Sequence, residues 1–204
     1  MQKRVITISR EYGSGGRYIG RLTAEKLGIA FYDRDLIRIA AQESGLAADY
    51  LTEADESFTS GSPLHFSMGD VFSQASYPPE ILPLPDQIHV LLSNIIQEIA
   101  EKEPCVIVGR SADHVLRRRE DCLNVFIHAE KEPKLHRVIH DFGIPEKQAE
   151  KEIEKVDKAR ANYYRHYSGL PWGMARNYHV SLDSGLFGTE TCADIIAKLA
   201  RCAG

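Results

Sequence analysis

A glycine-rich segment close to the start of the sequence has the residue types of a phosphate site. Residues 13–16 read Gly-Ser-Gly-Gly, follow an apolar run and precede apolar residues at helical spacing. Glycine adopts backbone angles that other residues avoid, so successive N–H groups can point into one concavity beside a helix N-terminus. The predicted phosphate- and ATP-binding residues are Arg10, Gly13, Ser14, Gly15, Gly16 and Arg17.

The segment departs from the phosphate-binding loop pattern G-x-x-x-x-G-K-[ST], whose lysine reaches the β- and γ-phosphates. With Gly15 as the second glycine, Arg10 replaces the first glycine, Gly16 the lysine and Arg17 the hydroxyl residue. With Gly16 in that place, Arg17 takes the lysine position and Tyr18 the hydroxyl position. A tight turn without a ligand is the alternative. We favour a phosphate site because an arginine lies on each side of the segment.

Composition limits the class of protein. The chain has 204 residues, 43% hydrophobic and 26% charged, which is typical of one globular domain. Its net charge of −4 argues against general nucleic-acid binding. We find neither a secretory segment nor an apolar run that could span a membrane. The four cysteines are widely spaced, which predicts reduced thiols in a cytoplasmic protein and neither a zinc site nor disulfides.

Strands and helices alternate along the chain. Short apolar runs predict five strands, at residues 5–8, 29–32, 105–108, 123–127 and 178–182. Helical patterns lie between them, including one at 36–41, one for which Asp86 is a candidate N-cap, and a long charged one after Pro145. This alternation predicts an α/β fold, a parallel sheet with helices on both faces. Residues 57–85 are rich in proline and aromatic residues; a substrate-covering insertion and a disordered loop are both compatible with them.

Six segments carry a resemblance to a known family. They are ITISREYGSGGRYIG at 6–20, FYDRDLI at 31–37, VIVGRSAD at 106–113, NVFIHA at 124–129, DKARANYY at 157–164 and SLDS at 181–184. In this order and spacing, the chain resembles the cytidylate-kinase-like proteins, a branch of the P-loop nucleoside monophosphate kinases. The resemblance implies one domain over 1–204 with the P-loop kinase fold and a five-stranded parallel sheet. Its core would be 1–32, 86–142 and 176–204, with a monophosphate-binding insertion at about 33–85 and a lid at about 143–175.

The resemblance also assigns roles to single residues. It places the glycine segment and Arg17 at the donor triphosphate, and Asp33 and Arg110 at the acceptor; we add Asp113 there, as a magnesium contact through water or a surface carboxylate. The kinases have an aspartate directly before and another directly after their glycine–arginine pair, whereas this chain has Val108 and Ser111. These differences, and the absent lysine, affect the magnesium and γ-phosphate contacts.

Arginines are suited to phosphoryl transfer because a guanidinium grips phosphate oxygens bidentately and stays ionised. The predicted catalytic residues are Arg17, Arg137, Lys158, Arg160 and Arg165, of which Arg137 starts the lid in the resemblance. A solvated, charged helix face is the alternative for Arg160 and Arg165, and an N-cap is the alternative for Asp33. The aromatic residues at 163–172 would either stack on a base or pack the lid against the body.

These features together predict an ATP-dependent phosphotransferase, with ATP and Mg²⁺ as cofactors and no metal held by protein ligands alone. The predicted acceptor is a nucleoside monophosphate, CMP- or dCMP-like, or a related small phosphorylated molecule. Two alternatives remain open: a non-catalytic nucleotide-binding regulatory module, and a kinase for a non-nucleotide acceptor. We expect no nucleic-acid or membrane partner, and a homodimer is compatible with the sequence.

Overall fold

The computed structural model describes residues 4–33 and 84–202. The helix expected at 36–41 and nearly all of the insertion expected at about 33–85 lie outside the described residues, so those predictions remain as they were made.

One parallel sheet forms the centre of the described chain. It contains β1 (Val5–Arg10), β2 (Ala30–Tyr32), β3 (Cys105–Val108), β4 (Cys122–His128) and β5 (Val180–Asp183). The strand order is β2-β3-β1-β4-β5, and every neighbouring pair is parallel. The prediction of a five-stranded parallel sheet is confirmed. Strand β3, for example, was recognisable because a strand buried on both faces is a continuous apolar run.

Helices follow the strands. They are α1 (Gly16–Leu27), α2 (Leu84–Lys102), α3 (Ala112–Val115), α4 (Lys131–His140), α5 (Glu146–Ser168), α6 (Ser184–Phe187) and α7 (Thr189–Cys202). A short 3-10 turn spans Ala175–Asn177. Helix α2 begins at Leu84, two residues before the predicted N-cap, so that prediction is wrong. Proline at 85 suits a first helical turn, and Asp86 lies inside that turn, where a negative charge favours the helix dipole.

The helices bury both faces of the sheet. On one face, α2 packs Leu92 and Ile95 against Val5 of β1 and Ile107 of β3. On the other face, α1 and α7 pack against the alternate residues of the strands, including Ile6. Val5 and Ile6 are both fully buried, since successive strand residues point to opposite faces. A third, smaller cluster joins α4 to α5.

The cysteines fit the prediction of reduced, mostly buried thiols. All four are free, and Cys105, Cys122 and Cys192 are buried while Cys202 is exposed. Burial raises the pKa of the Cys105 and Cys122 thiols to about 12. Within residues 4–33 and 84–202, every helix is too short or too polar to cross a bilayer.

The strand order reverses beside β1, whose neighbours are β3 and β4. In open parallel sheets, ligands bind at the carboxyl ends of strands around such a reversal. The carboxyl ends of the five parallel strands lie at this edge, and the described residues that follow them are considered next.

Candidate active site

The turn between β1 and α1 has the backbone of an anion cradle. Gly13 and Gly15 both have φ +75°. A Cβ atom at Gly13 would lie 2.8 Å from the carbonyl oxygen of Lys134, so α4 approaches too closely for a side chain. Gly15 is the N-cap of α1 and offers no side-chain oxygen to the helix. The first N–H groups of α1 therefore have no intrahelical acceptor and are directed toward the turn.

Arg137 of α4 lies beside this turn. Its Nη1 donates to the carbonyl oxygen of Gly13 at 3.1 Å, and its Nη2 donates to the carbonyl oxygen of Ser184 at 3.2 Å. A Cβ at Gly15 would be 3.6 Å from Arg137 Nε. The guanidinium thus lies next to the N-terminus of α1, where a bound phosphate would meet it.

Helix α5 reaches the same turn with two charged side chains. The amide of Tyr12 donates to Asp157 Oδ1 at 2.7 Å, and Arg160 Nη1 donates to the carbonyl oxygen of Arg10 at 3.0 Å. Lys134 Nζ lies 3.0 Å from Glu11 Oε2 and 3.7 Å from Asp157 Oδ2. Burial raises the pKa of Asp157, while the Tyr12 amide and the two neighbouring cations oppose that shift.

Arg10, the last residue of β1, extends across the turn. A Cβ at Gly16 would lie 2.9 Å from Arg10 Cγ, and a Cβ at Gly109 would lie 3.0 Å from Arg10 Cζ. The side chain therefore passes over the first residue of α1 and ends beside the loop after β3. Both flanking positions need glycine because the arginine fills the space that a side chain would occupy.

The loop after β3 holds unusual backbone angles. Gly109, Arg110 and Ser111 follow one another with φ of +82°, +57° and +51°. Left-handed angles at residues other than glycine are costly and cluster at functional sites. Burial lowers the pKa of Arg160; the nearby charge of Arg110 adds to this effect, and that of Asp33 opposes it. The predicted acceptor residues Asp33 and Arg110 thus lie within electrostatic reach of Arg160 on α5.

Arg17 lies on another side of the site. Its Nε forms an ion pair with Asp33, and its side chain is 49% exposed while that of Asp33 is 10% exposed. Arg17 is therefore directed toward the end of β2, whereas Arg137 contacts the backbone of the glycine turn and Arg160 the backbone at the end of β1.

The other predicted site residues lie further from the turn. The carboxylate of Asp113 is buried and accepts a hydrogen bond from Tyr164 Oη at 2.7 Å. Burial raises the pKa of Asp113. Lys158 and Arg165 are exposed on α5. Tyr164 is buried, so this aromatic residue packs α5 against the body of the described chain.

Sequence reasoning missed several residues that shape the site. Asp157 entered only as the first residue of the segment DKARANYY and as part of a charged helix face, and Glu11, Lys134 and Ser184 were not singled out. Ser184 is buried, and its Oγ donates to the carbonyl oxygen of Ser14 at 2.5 Å. All four act through contacts with residues far away in the sequence. Glu11, Asp157 and Ser184 lie in segments that carry the family resemblance, which gives no geometry, and Lys134 lies outside those segments.

The described residues fit poorly with a magnesium ion held by protein carboxylates. Residues 4–33 and 84–202 contain no group of three or more His, Cys, Asp or Glu residues placed to hold a metal. Glu11, Asp33, Asp113 and Asp157 each already have a cation or a hydrogen-bond donor as a partner. The position of the hydroxyl ligand in the loop pattern is taken by Arg17.

Comparison with known proteins gives one family and a set of related structures. Residues 5–186 match the cytidylate kinase-like family. An uncharacterized protein from Eubacterium ventriosum is 27% identical with a TM-score of 0.69, and the match covers 96% of this chain and 97% of that one. No curated protein matches the chain significantly.

Shikimate kinases share the fold at lower identity. The enzyme from Acinetobacter baumannii, in complex with shikimate, has a TM-score of 0.53 at 18% identity, covering 96% of this chain and 91% of that one. The enzyme from Aquifex aeolicus has a TM-score of 0.51 at 18% identity, covering 96% and 95%. With the family match over most of its length, the chain belongs to the cytidylate kinase-like family and has the fold of the P-loop kinases.

Proposed function

We propose that this protein is a nucleotide-dependent phosphotransferase that moves the γ-phosphate of ATP to a nucleoside monophosphate, CMP- or dCMP-like, or to a related small phosphorylated acceptor. One observation carries the proposal: the guanidinium groups of Arg137 and Arg160 are fixed beside the segment that leads into α1, where Arg137 donates to the carbonyl oxygen of Gly13 and Arg160 to that of Arg10 at the end of β1. Backbone N–H groups and fixed arginines together favour a polyphosphate.

The proposed roles follow from position. Gly13, Ser14, Gly15 and Gly16 would bind the donor phosphates through the turn. Arg137 and Arg160 would neutralise charge on the transferred group. Because their contacts already hold them in place, the two side chains would not have to rearrange during the reaction. Phosphoryl transfer asks mainly for such positioning and charge neutralisation. Lys158 and Arg165 are exposed in this conformation and would have to turn inward to take part.

The acceptor would bind on the side of β2 and β3. Asp33, Arg110 and Arg17 lie there, and Arg110 and Arg17 would recognise an anionic group. Asp113 would act on the acceptor only indirectly, through the α3 backbone, because its carboxylate is already bonded to Tyr164. Magnesium would enter the site bound to the nucleotide phosphates, because the carboxylates among the described residues are already engaged.

A non-nucleotide acceptor is a second candidate. The shikimate kinases that share the fold are named for a carboxylic acid substrate, and one of them is bound to shikimate. Arginines at the acceptor side would suit a carboxylate as well as a phosphate. A third candidate, a nucleotide-binding module without catalysis, is favoured by the missing loop lysine and by the engaged carboxylates.

A coupled assay of ADP release distinguishes these candidates. The protein would be supplied with ATP and Mg²⁺ and tested against all nucleoside monophosphates and a panel of hydroxy-carboxylic acids, with ATP binding measured by calorimetry in parallel. We expect turnover with a pyrimidine monophosphate. Turnover with a hydroxy acid alone would favour the second candidate, and ATP binding without turnover would favour the third. A protein that neither binds nor turns over ATP would contradict all three.

A further inference from the structure

Two departures from the phosphate-binding loop pattern touch each other in space. With Gly15 as the second glycine, the first glycine is replaced by Arg10 and the lysine by Gly16. The structure supports this alignment because Gly15 is the N-cap and α1 begins at Gly16. The arginine passes directly over that first helical residue, 2.9 Å from the place of its Cβ. A lysine at 16 would therefore collide with the Cβ and Cγ atoms of Arg10, so any side chain at 10 excludes a side chain at 16.

The guanidinium of Arg10 ends between the two halves of the site. Its Cζ is 3.0 Å from the place of a Cβ on Gly109, which precedes the acceptor residue Arg110. Its own carbonyl oxygen is held by Arg160. The group is half-buried, so its charge is only partly screened by water. A cation that crosses from the donor turn toward the acceptor loop lies where the γ-phosphate of a bound donor would be transferred and where ADP, with its β-phosphate, would remain.

We propose that Arg10 supplies the charge that the loop lysine supplies in the usual pattern, so that the cation has moved from position 16 to position 10 and glycine at 16 makes room for it. This rests on the proposed function, because it assumes a triphosphate at the turn. It differs from the sequence-based expectation that Arg17 replaces the lysine, since Arg17 is paired with Asp33.

The first experiment measures ligand binding by calorimetry with three probes: ATP, inorganic tripolyphosphate and AMP. We expect Arg10→Ala to lower the affinity for ATP and for tripolyphosphate about 10- to 100-fold, which is the usual range for a lost hydrogen bond to a charged group. The affinity for AMP, which lacks the β- and γ-phosphates, should change less than about threefold. Arg201→Ala, which removes an arginine that donates to the Lys26 carbonyl far from the turn, should change none of them. Equal binding of ATP by the parent and Arg10→Ala would overturn the proposal.

The second experiment exchanges the two residues. Gly16→Lys alone should lower the unfolding midpoint because Arg10 occupies the space, whereas in an Arg10→Gly background the same lysine should be tolerated. The double variant restores G-x-x-x-x-G-K and should recover at least about tenfold of the ATP affinity that Arg10→Gly loses. Failure to recover affinity would overturn the role of Arg10.

The two readouts separate this inference from the proposed function. The stability comparison of the parent with Gly16→Lys, Arg10→Gly and the double variant needs no ligand, and additive effects would contradict the steric exchange even if ATP binds. A parent protein that binds neither ATP nor tripolyphosphate would overturn the donor site itself, together with the role given to Arg10.

Discussion

Gly15 and Gly28 offer a matched comparison at the level of single residues. Both have positive φ, +75° and +65°, but a Cβ at Gly15 would be 3.2 Å from Thr189 Cγ2, whereas one at Gly28 would have open space. We predict that Gly15→Val abolishes nucleotide binding and that Gly28→Val leaves it intact, with each variant losing about 1–2 kcal/mol of unfolding free energy from backbone strain. Calorimetry and urea denaturation measure the two effects. Normal binding by Gly15→Val would make the turn purely structural.

The position of Arg17 leads to a second prediction. Because its Nε is paired with Asp33, we expect Arg17→Ala to raise the KM for the acceptor and to leave ATP affinity almost unchanged. The pair is partly exposed, so the loss of unfolding free energy should stay below about 1 kcal/mol. Steady-state kinetics with each substrate varied in turn provides the measurement. A fall in kcat of orders of magnitude with ordinary acceptor KM would instead restore the sequence-based prediction that Arg17 acts on the donor phosphates.

Helix α5 joins the glycine turn to the rest of the molecule. Asp157 accepts the Tyr12 amide, and Glu154 lies exposed one turn earlier on the same helix. We predict that Asp157→Ala accelerates hydrogen exchange of the amides in residues 11–16, because the Tyr12 amide loses its acceptor, and that Glu154→Ala does not. Asp157→Asn keeps an oxygen acceptor and should give an intermediate rate. Identical exchange in the two alanine variants would show that the contact does not order the turn.

Helices α2 and α5 meet through His89. Its Nδ1 lies 2.8 Å from Tyr163 Oη, and its ring stacks on Tyr167 with 3.6 Å between ring centroids. Burial lowers the pKa of His89 to about 4. The charged groups that act on it from α2, α3 and α5 are Asp86, which raises the pKa, and His114 and His166, which lower it.

This environment predicts a loss of stability in mild acid. The folded pKa lies below the unfolded value of about 6.5, so the unfolded chain takes up the proton first. The contribution of His89 to the unfolding free energy is complete above pH 6.5 and is lost as the pH falls toward 4. Allowing for solvent screening, we expect a decrease of about 1 kcal/mol between pH 7 and pH 5. Urea denaturation at several pH values should show it, with His89→Gln flattening the profile and exposed His136→Gln retaining it. If the unfolding free energy of His89→Gln depends on pH as steeply as that of the parent, the acid sensitivity arises from other groups.

The elements were predictable from the sequence to different degrees. Strands such as Cys105–Val108 were recognisable because a buried strand is a local apolar run. The start of α2 was misplaced because an aspartate that caps a helix and an aspartate in its first turn look alike in sequence. Asp86 lies in the first turn of α2. The contacts of Arg17 with Asp33 and of Asp157 with Tyr12 could not be predicted, since each joins residues on different elements whose relative placement depends on the whole fold.

At the scale of the whole molecule, ligand binding should be visible as stability. ATP that binds the folded chain at about one hundred times its dissociation constant raises the unfolding free energy by about 2.7 kcal/mol. For a chain of 204 residues, this corresponds to a rise in Tm of about 5–10 °C. We therefore predict such a shift with millimolar ATP and Mg²⁺, and none in Gly15→Val, whose cradle is blocked. Differential scanning calorimetry of both proteins makes the measurement. Equal shifts in the two would place the nucleotide away from the glycine turn, and no shift in the parent would contradict the donor site.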